Sequence, residues 1–244
     1  MAKLLGDIKF TGKIDGLSFY ELNGKIVVRK TGGFDGKKIK EDPKFDKVRQ
    51  NSTEFGHCAK VGRALRLSLG GATKKLKEPY LHNKIVSLLR NAVKLDTLNE
   101  RGQRNIGDAL KNTEAKKMFQ GFELSATYKC SDFINAKYNL IPEVPVKLDI
   151  QIQNFLVPTP NHIMRIRYYW IALNLETLES KTTMSGALEL TAQTIKNQSN
   201  TISFINTEID STKNYFLIEE FWYDNADKNA PATEQRGIRI IGVI

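Results

Sequence analysis

The chain has 244 residues, 41% apolar and 26% charged, a balance that excludes an intrinsically disordered protein and allows one large or two small folded domains. Its 37 Lys and Arg against 27 Asp and Glu give a net charge of +10, and two cysteines, Cys58 and Cys130, are too few for a disulfide framework. The opening MAKLLGDIKFTGK lacks the apolar core of a signal peptide, and the longest apolar run, residues 168–173, is far too short to cross a bilayer, so the expected setting is cytoplasmic and away from membrane.

In chain order, LSFYELNGKIVVRK comes first and reads as a β-hairpin. Asn23-Gly24 joins its two strands, both residues suited to the positive φ of a type I′ turn. GDIKFTG before it can supply a further short strand, and TGGFDGKKIKEDP after it reads as a polar loop, so residues 1–42 form a hairpin-and-loop region.

Residues 43–120 read as helical. Asp42-Pro43 is a start signal, a capping oxygen followed by proline at the first helical position. From there to Gly70-Gly71 the spacing predicts one helix, with Val48, Phe55, Cys58, Ala59, Gly62, Leu65 and Leu69 on a broad apolar face. Arg49, Lys60 and Arg63 fall nearly opposite, and Lys74, Lys75 and Lys77 lie in the loop that follows. A second helix, about 79–96, carries Leu81, Ile85, Leu88, Leu89, Ala92 and Val93, too apolar for a free surface. A third, about 106–119, carries Ile106, Leu110, Met118 and Phe119.

Residues 121–244 read as β-structure. VKLDIQIQN alternates with Leu148, Ile150 and Ile152 on one face, and HIMRIRYYWIALNLET is a long strand with Ile163, Ile171, Leu173 and Leu175 on one side. GALELTA, NTISFINTEI, NYFLIEEFWYDN and RGIRIIGVI bring the total to about six strands separated by polar turns, the pattern of an antiparallel sandwich. The expected class is α+β: an N-terminal β-hairpin, a cluster of about three helices and a C-terminal antiparallel β-sandwich.

Catalytic and cofactor signatures are not found. His57, His82 and His162 are not spaced as a metal pair. His57 adjoins Cys58, but helical neighbours point about 100° apart and cannot act together as base and nucleophile, so a buried cysteine beside a surface histidine is expected. GGATKK lacks the spacing of a phosphate loop and follows a helix. Glu219-Glu220 lies on a strand, where successive side chains face opposite ways, and so is no acid–base pair. No cofactor, metal or small-molecule substrate is expected.

The charge is uneven. Residues 1–120 hold 26 cationic against 13 acidic side chains, and residues 121–244 hold 11 against 14. Such asymmetry points to an electrostatic partner, either a polyanion or the acidic half of a neighbouring copy. Arg49, Lys60 and Arg63, extended by Lys74, Lys75 and Lys77, are the candidate partner-binding residues. As a phosphate-tracking stripe they would need interleaved aromatics for base stacking, and these are scarce. MRIRYYW mixes cations with aromatics but reads better as a sandwich strand.

NGKIVVRK, RQNSTEFGHCAKVGRALR, DTLNERGQRNIGDAL followed by GFELS, and the terminal RGIRIIGVI together resemble a group of small uncharacterised proteins from Bacteroidota. The resemblance carries over no activity and no catalytic residue. It implies that hairpin, helices and sandwich form one module.

The apolar end IRIIGVI must pair, in its own sandwich or with a neighbouring copy, because an open apolar edge invites association. Ile238, Ile240, Ile241, Val243 and Ile244 are therefore the candidate assembly strand. The expected function is that of a non-enzymatic structural protein that self-associates as a filament or particle subunit. Nucleic-acid binding through the basic helical face is the alternative.

Overall fold

The computed structural model describes residues 2–3, 10–31, 36–157, 159–194, 197–205, 207, 209–225 and 235–244. The chain separates into two compact units, Met1–Arg49 and Gln50–Ile244, with the boundary inside a helix. Most of the strand expected over GDIKFTG and the start of the TGGFDG loop lie outside the described residues.

The first unit is an antiparallel sheet of β1 (Ala2–Lys3), β2 (Gly12–Ile14), β3 (Leu17–Leu22) and β4 (Lys25–Lys30), in the order β1-β4-β3-β2. Asn23 and Gly24 have φ of 52° and 74°, the type I′ signature. Asp15 and Gly16, at 46° and 72°, make a second tight turn of the same kind between β2 and β3. Cross-strand register aligns Gly12 with Phe19 and Val28, and Ile14 with Leu17, so one face collects Ile14, Leu17, Phe19, Ile26 and Val28. The Phe10 ring joins them 4.5 Å from that of Phe19. Among the described residues of this unit only Ile26 and Val27 are buried, whereas Ile14 is 55% exposed. After β4 come α1 (Gly36–Glu41), which replaces half of the expected loop, and a 3-10 turn at Pro43–Phe45. The Asp42 carboxylate accepts from Lys44 N at 2.9 Å, so the start signal initiates this turn and α2 (Asp46–Ser68) follows it.

The second unit holds the rest of α2, then α3 (Gly71–Lys75), α4 (Leu81–Val93), α5 (Ile106–Ala109), α6 (Thr113–Phe119), β5 (Phe122–Glu123), α7 (Cys130–Phe133), β6 (Ile134–Ile141), β7 (Val146–Phe155), β8 (His162–Leu173), β9 (Ser180–Met184), β10 (Leu188–Leu190), β11 (Gln198–Phe204), β12 (Asn214–Asn225) and β13 (Arg236–Val243). A six-stranded antiparallel sheet runs β10-β8-β12-β13-β5, with β9 also paired to β8. A smaller sheet runs β11-β7-β6.

These elements stack in three layers. Between the sheets lie Val146, Leu148, Ile150 and Ile152 of β7 against Ile166, Tyr168 and Trp170 of β8 and Leu217, Phe221 and Tyr223 of β12. On the other face of the large sheet, Tyr169, Ile171, Leu173, Phe216, Ile218, Ile238 and Ile240 pack against the helices. Being covered on both faces makes β8 and β12 almost continuously apolar. The aromatic residues of MRIRYYW accordingly divide between two cores rather than lining one.

Two expectations about the helices are corrected. The buried stripe of α2 is Glu54, Cys58, Val61, Gly62 and Leu65, while Val48 and Phe55 are each 46% exposed. The expected third helix is two, α5 and α6, because the Asn112 side chain accepts from Glu114 N and caps a new start. α4 is central as expected, with Ile85, Leu89 and Ala92 fully enclosed. Gly62 lets α2 approach it, since a Cβ there would lie 3.2 Å from Ile85 and 3.3 Å from Leu89.

Candidate functional site

Arg49 turns back on its own unit, donating to the carbonyl of Asp42 at 3.1 Å and to that of Ile39, and pairing with Asp46. Lys60 and Arg63 are exposed one turn apart on α2. Lys74 and Lys75, expected in a loop, stand exposed in the last turn of α3, and Lys77 follows at a φ of 50°.

The apolar C-terminal strand is β13, and its backbone is taken up within its own chain. It pairs with β12 along its length and with β5 at Arg239 and Ile240. Gly121 N and Leu124 N add bonds to the carbonyls of Ile240 and Ile238, at 2.8 and 2.7 Å. Ile238, Ile240 and Val243 fill the helix-side core. Ile241 is half-buried and Ile244 is 43% exposed.

Beyond residues 121–124, the side of β13 away from β12 carries no strand among the described residues, and β6 is the outermost strand of the smaller sheet. A cleft of about 610 Å³ opens there, lined by Ala136, Tyr138 and Leu140 of β6 and by Arg239, Ile241 and Val243 of β13. Burial alternates along β6, with Ala136, Tyr138 and Leu140 half-buried and Asn135, Lys137 and Asn139 exposed, and Lys137 also lines the cleft.

A buried polar network lies at the cleft wall. Glu219 accepts from Tyr138 Oη at 2.6 Å and from Tyr168 Oη at 3.0 Å, and Arg239 Nη2 donates to Tyr138 Oη at 2.6 Å. Arg239 Nε and Glu219 Oε2 are 2.7 Å apart but poorly aligned for a hydrogen bond, so charge attraction holds that contact. Burial, then the Glu219 charge, pushes the Tyr138 and Tyr168 hydroxyls far above their ordinary range. Burial opposes the Arg239 charge, but Glu219 and Tyr138 with the neighbouring Cys130 together outweigh it, and the guanidinium is held more firmly protonated. On the opposite face Glu220 is buried with Tyr169 and Arg236, and Arg167 and Arg236 flank the Trp222 ring at 5.2 and 5.1 Å. The two glutamates face opposite ways, as strand geometry requires, yet each has its own arginine and tyrosine.

A second polar cluster fastens the segment 96–108 onto α2. Glu54 accepts from Gly102 N, Arg104 Nε and Arg104 Nη2 at 2.7, 2.7 and 2.9 Å. Burial works against its charge, but the bonds from Arg104 and Gly102 prevail and hold its pKa low. Asp96 accepts from Leu98 N, Asn99 N and Asn105 N, and Asp108 from Lys111, Asn105 and Asn99. Lys111 foremost, then the two asparagines, brings Asp108 down to about 2. His57 is half-buried rather than on the surface. Its Nε2 accepts from Ile106 N at 3.1 Å, and burial, aided by Lys60, lowers its pKa.

Asn105, Asp108, Lys111, Asn174 and Thr212 line a polar cleft of about 660 Å³ beside His57. Three of its titratable groups are already engaged: the His57 Nε2 lone pair accepts from a backbone N–H, and the Asp108 carboxylate takes three donors, Lys111 among them. Cys58 is enclosed next to it, and burial pushes its thiol up to about 11. Reading the sequence missed Glu54, Asp96 and Asp108 here. Their visible trace is the cap-like DTLN and RNIGD spacing, an Asp or Asn followed two to three residues later by a backbone N–H that it accepts from. No family model matches the chain, and no curated protein matches it.

Proposed function

We propose that the protein is a non-enzymatic structural subunit that associates with copies of itself, with the N-terminal sheet as the joining element. One observation carries this reading: an apolar sheet face bearing Ile14, Leu17, Phe19 and Val28, in a unit where only Ile26 and Val27 are buried among the described residues. A sheet needs a second layer over its apolar face, and a small unit with so little core is unstable by itself. Contacts of this kind between unlike surfaces, repeated from copy to copy, close into rings or extend into filaments.

A second reading, nucleic-acid binding, is favoured by Lys60, Arg63, Lys74 and Lys75, exposed cations that make no ion pair among the described residues. Size-exclusion chromatography with light scattering, on protein freed of nucleic acid by nuclease, separates the two. Self-association gives defined multiples of the 27.6 kDa chain. A monomer at high concentration that binds duplex tightly would replace the first reading with the second.

A further inference from the structure

We infer that the cleft between the open edges of β6 and β13 receives the edge strand β2 of a second copy, with Phe10 and Ile14 as its apolar contacts. The inference rests on the self-association proposed above and names the surfaces that meet.

The receiving side has the features of a strand-addition site. Strand addition uses unpaired backbone on a sheet edge for affinity and pockets for alternate side chains for selection. Residues 121–124 cover β13 from Ile238 to Ile240 and leave its edge beyond Ile240 uncovered, and β6 ends its sheet among the described residues, so two edges border the same cleft. Ala136, Leu140, Leu217, Ile241 and Val243 give it apolar walls, interrupted by the cations Lys137 and Arg239. The Arg239 charge at the wall is neutralised by Glu219, which leaves Lys137 as the cation of the lining that an entering strand meets.

The entering side has matching chemistry. Among the described residues β2 is the edge of its own sheet, three residues long and exposed throughout. Phe10 packs on Phe19, the cross-strand partner of Gly12, and Ile14 faces Leu17 on the same side; Phe10 and Ile14 are 36% and 55% exposed. Left uncovered, such an edge is an association site. Charge agrees with this direction of docking: residues 1–49 carry 12 cationic against 7 acidic side chains, whereas residues 121–244 carry 11 against 14. Asp15, next to Ile14, supplies a counter-charge for Lys137 in the lining of the cleft.

Disulfide trapping between full-length chains tests this. Cys58 and Cys130 are both fully buried, so introduced cysteines are the reactive ones. Chains carrying Lys13→Cys are mixed with mass-tagged chains carrying Lys137→Cys and oxidised. The expected result is a mixed dimer several-fold more abundant than with chains carrying Lys94→Cys, at the exposed end of α4, and its loss when Ile14→Asp is added to the first chain. A mixed dimer no more abundant than this control would overturn the inference. So would a doubly substituted chain that closes on itself at high dilution, since the cleft would then hold the chain's own strand. If light scattering still shows oligomers, only this assignment of surfaces fails. A monomer by light scattering removes the self-association reading as well.

Discussion

Glu219 on β12 and Arg239 on β13 are direct partners across one rung of the large sheet, with Oε2 and Nε 2.7 Å apart and Glu219 wholly buried between the layers. Two tyrosine hydroxyls complete the shell of the carboxylate. A buried pair of this kind need not add stability over an apolar substitute, but removing one partner strands a charge.

Arg239→Ala should therefore cost about 3–5 kcal/mol in urea denaturation. The double variant Glu219→Leu, Arg239→Met should cost less than this single one, because no charge is left unpaired. Equal or larger loss in the double variant would show that the pair itself, rather than its mutual compensation, holds the sheets together.

The second prediction concerns the end of the chain. Ile240 is fully buried against the helices and Ile244 is 43% exposed. Ile240→Ala should lower stability by about 2–5 kcal/mol, whereas Ile244→Ala should stay within about 0.5 kcal/mol. Similar losses at both positions, measured by the same denaturation, would contradict the placement of β13 in the core.

The third follows from the carboxylates that fasten segment 96–108. Glu54, Asp96 and Asp108 all have folded-state pKa values below their ordinary ones of 4.5, 3.8 and 3.8, Asp108 at about 2. Groups with depressed values add stability that is fully present above the unfolded pKa and is lost as pH falls through the folded one. Through these carboxylates the melting temperature should drop between about pH 4 and 2, and His57, whose pKa folding also lowers, should already take some stability away as pH falls below about 6.5. Asp108→Asn should lower the melting temperature at neutral pH and flatten the drop between about pH 4 and 2. A drop of unchanged depth in this variant would remove Asp108 from the explanation.

Much of the fold was legible because its signals are local. Asn23-Gly24 needs only its own two φ angles, and the alternation of Leu148, Ile150 and Ile152 needs only its own strand. The Asp15-Gly16 turn carries the same chemistry and was passed over because β2 is just three residues long. The break at Asn112 was hidden by an apolar spacing that continues across it. The candidate site was far less legible, for a physical reason. Glu54 is buried because Arg104 arrives 50 residues later, and Phe55 is left outside over Arg90 in consequence. Glu219 and Glu220 look like surface residues until β6, β8 and β13 bring Tyr138, Tyr168, Tyr169, Arg236 and Arg239 to them. Pairings of that kind belong to the topology, which no local pattern encodes.

The central claim is that the N-terminal sheet joins one copy to another, and sedimentation velocity of the nuclease-treated full chain over a range of concentrations tests it most directly. Ile14 is exposed, so Ile14→Asp should leave the melting temperature within a few degrees of the parent. The parent chain should sediment as concentration-dependent oligomers and the Ile14→Asp chain as a 27.6 kDa monomer. Identical sedimentation of the two proteins, whether both assembled or both monomeric, would contradict the account.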